Sequence, residues 1–365
     1  MLHLIAGARP NFMKIAPLAE ALRAAQRRGS GLDFQIIHTG QHYDRNMSAQ
    51  FFEELGIPEP EVNLGAGGGT QAEQTARIMV AYEALLTHSP CDLCIVVGDV
   101  TSTLACSITA KKMGIAVAHV EAGIRSYDLG MPEEINRMVT DSITDYFFTT
   151  TEQAGSNLLH LGVPAERIYF VGNTMIDTLL KQRPRFHPPE CWGQFGLSPG
   201  GYLVMTLHRP SNVDDPDKLL ALLHAVLDHS RELPVVFPVH PRTRRALGML
   251  PLQDTQLKIT DPLGYLEFNY LVEHAKAVIT DSGGVTEETT VMGIPCMTLR
   301  TTTERPETVD LGTNELLGDG PQAIPSAMEC LFAGQWKRGT VPPLWDGKAS
   351  ERIVTALEKI LNKKG

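Results

Sequence analysis

The feature that most constrains this chain is an alternation. Short apolar or β-branched runs are followed by amphipathic stretches, again and again, with Gly, Ser, Thr or Asp at the joins. Strands are predicted over 2–6, 34–39, 92–97, 115–120, 145–149 and 168–171. A helix is predicted over 11–28, where Ile15, Leu18, Ala19 and Leu22 recur on one face at helical spacing. Near-continuous apolar strands separated by helical crossovers are the sequence form of a parallel sheet covered on both faces. The pattern lapses over 181–201, which holds Pro184, Pro188, Pro189 and Pro199 together with Gly193, Gly196, Gly200 and Gly201. It resumes with strands predicted at 202–207, 235–239, 258–260, 277–280 and 295–299. The expectation is an α/β protein of two Rossmann-like domains with parallel sheets and an interdomain cleft. The boundaries fall at residues 1–175 and 176–349, with a last amphipathic helix at about 350–365 assigned to the first. A chain of 365 residues suits two cores better than one.

Composition narrows the class. With 43% hydrophobic and 20% charged residues the chain has neither the signature of disorder nor that of a membrane protein. Its 32 Lys+Arg against 42 Asp+Glu give a net charge of -10, which disfavours a general nucleic-acid binder and leaves local anion sites. The first apolar stretch is too short for a signal-peptide core, so a cytoplasmic location is expected. The six cysteines are too scattered for a disulfide framework. Cys91 and Cys94 form a C-x-x-C, but Cys94 opens an apolar run and reads as a buried strand thiol.

Ligands of open α/β sheets bind beyond the carboxyl ends of the strands. The residues that follow the predicted strands are polar throughout: Arg9, Asn11 and Lys14 after the first, Asp99 after the third, Glu121 after the fourth. In the second half they are His208-Arg209, His240 and Asp281-Ser282-Gly283-Gly284. The Ser-Gly-Gly segment precedes a helix predicted at 285–292 and suits a phosphate approached by backbone N–H groups, though it is also an ordinary turn. Glu287 and Glu288 fit either stabilisation of that helix dipole or hydrogen bonds from ribose hydroxyls. Neither G-x-G-x-x-G nor a P-loop occurs. Asp99 also fits an N-cap on a helix starting near Thr101, Glu133 an i,i+4 pair with Arg137, and Lys14 a solvated helix end. Three carboxylates around one cleft would instead raise one another's pKa and suit proton transfer to and from carbon. No spacing suggests a metal site.

Eight segments in order carry a resemblance: GARPNFMKIAPLAEAL from Gly7, TGQHYD from Thr39, VVGDVTST from Val96, HVEAGIRS from His119, MPEEINRMVTDSITDYFF from Met131, LHRPSNVDD from Leu207, DSGGVTEE from Asp281 and TTTERPETV from Thr301. Over essentially its whole length the chain resembles the non-hydrolysing UDP-N-acetylglucosamine 2-epimerases. The resemblance implies a GT-B-like fold and reversible conversion of UDP-N-acetylglucosamine to UDP-N-acetylmannosamine through elimination of UDP to 2-acetamidoglucal. It implies no cofactor and no metal, with UDP-N-acetylglucosamine and UDP as small-molecule partners, a homodimer, and a role in polysaccharide biosynthesis. Position by position, Asp99, Glu121 and Glu133 match the acid/base carboxylates, and His208 lies near the leaving group. Arg9, Lys14 and Arg305 match nucleotide or diphosphate contacts. Ser282, Gly283 and Gly284 match the phosphate loop, Glu288 the ribose ligand and Phe268 a side chain beside uracil. Gln41, His42 and His240 fall in segments that bind a second, activating substrate molecule in some members. The chain departs from the family pattern at Pro210-Ser211, where a glutamate is usual before Asn212, at Val100, and at Tyr43, where regulated members carry arginine. A GT-B-type glycosyltransferase, a hydrolysing 2-epimerase and a non-catalytic nucleotide-sugar binder are the competing readings.

Overall fold

The computed structural model describes residues 1–7, 9–40, 55–56, 59–239, 241–248 and 256–362, the side chains of residues 9, 10, 241, 242 and 246 excepted. It divides into two units, Met1–Lys181 with Pro343–Gly365, and Gln182–Pro342.

The first unit is built on β1 (Leu2–Ala6), β2 (Phe34–His38), β3 (Val62–Asn63), β4 (Leu93–Val97), β5 (Ala116–Val120), β6 (Tyr146–Thr149) and β7 (Ile168–Phe170). They form one parallel sheet in the order β3-β2-β1-β4-β5-β6-β7. Its longer helices are α1 (Arg9–Arg27), α2 (Gln71–His88), α3 (Thr101–Lys112), α4 (Pro132–Ile143), α5 (Glu152–His160) and α6 (Thr174–Gln182). The central strands β1 and β4 are buried at every position, which is why they read as apolar runs, broken only by the buried His3. Each of their fully buried aliphatic side chains contributes roughly 1.5–3 kcal/mol.

The second unit holds β8 (Leu203–Thr206), β9 (Val235–Pro238), β10 (Leu257–Thr260), β11 (Ala277–Thr280), β12 (Cys296–Thr298) and β13 (Asn314–Leu316), in the order β10-β9-β8-β11-β12-β13. This sheet too is parallel throughout. Its longer helices are α7 (Pro216–Leu227), α8 (Tyr265–His274), α9 (Gly283–Met292) and α10 (Ile324–Phe332). The predicted class, two α/β units with parallel sheets, is therefore the one observed. The proline-rich stretch packs Cys191 and Leu197 into one cluster with Tyr202, Leu271 and Val272 in the core of this unit.

The final helix, α11 (Ala349–Asn362), returns to the first unit and packs on α1. Its start is capped at a distance in sequence: the Ala349 and Ser350 amides donate to Asp177 Oδ1 and Oδ2 at 3.0 and 2.7 Å. Another polar bond repairs a defect. Pro17 lies inside α1 and has no N–H to offer Met13 O, and the Thr178 hydroxyl donates to that carbonyl at 2.5 Å.

Two sequence expectations change, and the buried-thiol reading of Cys94 stands. The edge strands β3 and β13 went unread, because each holds a single apolar residue, whereas the short edge strand β7 is an apolar and aromatic run. α9 begins at Gly283 rather than Val285, because glycines read as loop. The thiols of Cys91 and Cys94 are unpaired and buried; burial pushes Cys91 to about 11 and Cys94 up as well, which makes them poor nucleophiles. Among the described residues no helix is long and apolar enough to cross a membrane.

Candidate active site

In the first sheet the strand order changes direction between β1 and β4, the switch point where such sheets bind ligands. Asn11 ties the two strand ends together. Its Oδ1 accepts from the Gly7 amide at 3.0 Å and its Nδ2 donates to Val97 O at 2.8 Å. Gly7 has no room for a side chain, since a Cβ there would lie 2.5 Å from Ser102 Oγ on α3.

Asp99 and Glu121 emerge at this point. Gly98 adopts φ +71°, and a Cβ on it would lie 3.3 Å from Glu121 Oε2 and 3.5 Å from Lys14 Nζ. Glu121 is 3% exposed and is ion-paired with Lys14. Lys14 is thus a half-buried counter-charge rather than a solvated helix end. The backbone of Glu121 is left-handed, with φ 73°, a state costing roughly 1–3 kcal/mol for a residue with a side chain. The Glu121 and Ala122 amides both donate to Phe148 O, at 3.0 and 3.1 Å. Strain of this kind at a strand end marks a side chain whose direction matters.

Asp99 does not cap α3. The capping position is Val100, with no side-chain bond, and the Asp99 carboxylate is paired with Arg137 of α4. Asn136 Nδ2 donates to Asp99 O at 2.8 Å. Nor does Arg137 pair as the i,i+4 spacing suggested: its partners include Asp99 and, at 3.3 Å, the buried Glu134. Glu134 in turn accepts from the Ser126 and Tyr127 amides at 2.9 and 3.1 Å and so holds the loop after β5. Glu133 is exposed in the first turn of α4, one turn before Arg137. The fold thus gathers Lys14, Asp99 and Glu121 around Gly98 and leaves Glu133 on the surface of α4.

The second unit repeats the arrangement with other chemistry. Its switch point lies between β8 and β11, and there Asp281 organises the segment after β8. The buried Asp281 carboxylate accepts from the Arg209 amide at 2.9 Å and Asn212 Nδ2 at 3.1 Å, and pairs with His208 Nδ1 at 2.7 Å. Burial pushes the Asp281 carboxyl up, but the hydrogen bond and charge of His208 and the other donors outweigh it and hold the group below its ordinary value. His208 is therefore no isolated histidine. Its side chain is 60% exposed while one ring nitrogen is fixed, which leaves the other edge to meet a ligand.

Ser282 precedes α9 as its N-cap and makes no side-chain capping bond. The first turn at Gly283 and Gly284 therefore keeps N–H groups for an anion. Arg300 lies beside this turn, 3.8 Å from the place of a Gly283 Cβ, and shares Glu304 with Arg209 at 2.6 and 3.7 Å. Glu287 and Glu288 are not first-turn dipole partners. Glu287 is buried and paired with Arg305 at 2.5 Å. Glu288, 4% exposed, is pushed up to about 7 by burial, against hydrogen bonds from Tyr265 and Asn269 of α8 and with the charge of Glu287 adding to the rise. Phe268 is half-buried on α8. Gln41, His42 and His240 lie outside the described residues, as does the side chain of Arg9. Among the described residues no cluster of His, Cys, Asp and Glu is arranged to hold a metal ion.

Sequence reasoning placed Asn11 and Asp281 at strand ends without giving them partners, gave Arg137 to Glu133, and missed the parts of Glu134, Asn212 and Arg300. Its place as the first polar residue after a strand marked Asp281, but its partners lie about 70 positions away in sequence and carried no local signal.

A family profile described as UDP-N-acetylglucosamine 2-epimerase matches residues 24–358. The chain is 40% identical to the UDP-N-acetylglucosamine 2-epimerase of Methanocaldococcus jannaschii, with 98% of each protein covered. It is 38% identical to the UDP-2,3-diacetamido-2,3-dideoxy-D-glucuronate 2-epimerase of Pseudomonas aeruginosa, covering 98% of this chain and 99% of that one. The solved structure of the Methanocaldococcus jannaschii enzyme in complex with UDP-GlcNAc and UDP superposes with a TM-score of 0.86 over 98% of this chain and 99% of that one. Strand order, strand-end chemistry and likeness along nearly the whole length agree, and the chain belongs to the UDP-N-acetylglucosamine 2-epimerase family.

Proposed function

We propose that this protein interconverts UDP-N-acetylglucosamine and UDP-N-acetylmannosamine by elimination and re-addition of UDP. The proton on sugar carbon 2 is not adjacent to a carbonyl, so it leaves only as the bond from carbon 1 to the diphosphate oxygen breaks. That step yields UDP and 2-acetamidoglucal. UDP then returns to carbon 1 while a proton is delivered to the opposite face of carbon 2. Asp99, Glu121 and Glu133 are assigned to the proton transfers. Lys14, His208, Arg305, Arg9 and the turn Ser282-Gly283-Gly284 are assigned to the diphosphate, whose developing charge needs preorganised donors and cations. Glu288 is assigned to the ribose and Phe268 to the uracil, while Gln41, His42 and His240 are left to an activator site. The same reading makes the protein a cytoplasmic homodimer serving polysaccharide biosynthesis.

The observation that carries this reading is Glu121: a buried glutamate held in left-handed backbone geometry, paired with Lys14 and close to Gly98, the residue before Asp99. A glycosyltransferase or a passive binder has no use for strained acids at that position. The test is incubation with UDP-N-acetylglucosamine in heavy water, read by NMR at carbon 2. Deuterium at carbon 2 of a UDP-linked product is expected. Free N-acetylmannosamine with UDP would instead assign a hydrolysing epimerase, and transfer to an acceptor with carbon 2 unlabelled a glycosyltransferase. The similarity to a relative named for UDP-2,3-diacetamido-2,3-dideoxy-D-glucuronate supports one second reading, a uronate substrate, which the same experiment tests with that nucleotide sugar.

A further inference from the structure

Behind Asp99 and Glu121 lies a buried polar cluster to which the chemistry above gives no task. His119, in β5, is fully buried. Its Nε2 lies 2.8 Å from Gly98 O and its Nδ1 2.7 Å from Asp141 Oδ1. Asp141, on α4, also accepts from the Gly123 amide at 3.1 Å and pairs with Arg125 Nη1 at 2.7 Å. Arg125 is anchored as well, donating to Ile124 O at 2.7 Å. Stability alone explains such a group poorly, since well-packed apolar side chains of similar volume usually serve a core as well or better.

What the cluster touches suggests its use. Gly98 immediately precedes Asp99, and Gly123 follows Glu121 by two residues. A single run of bonds, from Gly98 O through His119 and Asp141 to the Gly123 amide, therefore joins the two loops that carry the acids. The same helix supplies Arg137 and Asn136, which hold Asp99 from its other side. The loop being held is not a relaxed one. Glu121 has φ 73° and Gly123 φ 78°, and a Cβ at Gly123 would overlap Ala154 O at 2.2 Å. Without an anchor, two left-handed residues so close together would drift toward ordinary geometry and carry the Glu121 carboxylate with them.

Resting on the epimerase reading, we propose that His119 and Asp141 are positioning residues that set the separation of Asp99 and Glu121 by bonding the Gly98 carbonyl and the Gly123 amide. Elimination and return of UDP each need an acid or base aligned with one face of carbon 2. A displacement of about 1 Å in such a group costs on the order of 10²-fold in rate.

The test compares Asp141→Ala, Asp141→Asn and His119→Phe with the wild type, at a temperature where circular dichroism shows all four folded. Asp141→Ala and His119→Phe should each lower kcat by about 10²-fold, with KM and the Kd for UDP unchanged within threefold. Asp141→Asn keeps the shape, can accept from the Gly123 amide and can donate to His119 Nδ1, so it should return to within about tenfold of wild type. With no substrate present, exchange of the Gly123 amide hydrogen should be at least about tenfold faster in Asp141→Ala. The proposal is overturned if folded Asp141→Ala turns over at the wild-type kcat, if KM and the Kd for UDP rise as kcat falls, if Asp141→Asn is as impaired as Asp141→Ala, or if Gly123 exchange is unchanged. Failure of the epimerase reading looks different: the wild type itself then yields no UDP-linked product deuterated at carbon 2.

Discussion

The two units place the same strand order around their switch points, β3-β2-β1-β4 in one and β10-β9-β8-β11 in the other, and fill them with opposite chemistry. The first presents carboxylates whose cations come from helices, Lys14 for Glu121 and Arg137 for Asp99. The second presents an imidazole and a glycine-started helix whose carboxylate, Asp281, sits underneath as the organiser. A parallel sheet supplies only a position, and the few residues after each strand decide whether protons or anions are handled there. The contrast extends to two buried glutamates. Glu121 has a lysine beside it, whereas Glu288 has the neutral partners Tyr265 and Asn269 and is pushed up to about 7 by its burial.

The largest expected effect tests the division of labour. Glu121→Gln should lower kcat by about 10³-fold while UDP affinity, measured by titration calorimetry, stays within threefold, because the lost group moves protons. Equal loss of UDP binding would break the contrast between the units.

Glu288 provides the next measurement. Its native value of about 7 lies above the ordinary 4.5, so the folded state holds a proton that the unfolded state releases between those values. Stability should therefore be fullest below about pH 4.5 and fall by about 3 kcal/mol as pH rises to about 7. Glu288→Gln, which cannot ionise, should lack this fall. Denaturant unfolding of both proteins at pH 5 and pH 8 measures the difference, and parallel pH dependence in the two would contradict the assignment.

Asp281→Asn keeps the shape beneath His208 but removes the charge. A fall of about tenfold in kcat is expected, with a shifted pH–rate profile, since Asp281 both orients the ring and pairs with it. A profile superimposable on that of the wild type would reduce Asp281 to a loop anchor.

The smallest effect concerns the frame. Thr178→Val strips Met13 O of the donor that replaces the N–H missing at Pro17. A loss of about 1 kcal/mol, seen as a Tm lower by roughly 2–4 °C with unchanged kcat, is expected.

Much of the architecture was legible before any coordinates, for a local reason. Strands buried on both faces must be apolar along their length, as at Leu93–Val97, and helices between sheet and solvent must carry one apolar face, as in α1. The strand ends were legible too, since a polar residue after such a run has left the core. Val62–Asn63 and Asn314–Leu316 escaped because each carries one apolar residue and so no run to read. The candidate site was half visible. Asp99, Glu121, His208 and the Ser-Gly-Gly turn stand out by position, but the i,i+4 rule offered Glu133 to Arg137, and the fold gives Arg137 to Asp99 and Glu134 instead.

What the sequence determined by itself is the succession of buried strands and covering helices, and with it two parallel sheets, because burial periodicity is a property of neighbouring residues. What only the tertiary structure decided is which charges meet. Lys14 reaches Glu121 across 107 positions, and the His208 amide reaches Asp281 across 73. Electrostatic energy depends on separation in space and on the surrounding dielectric, and neither is written in the order of the chain.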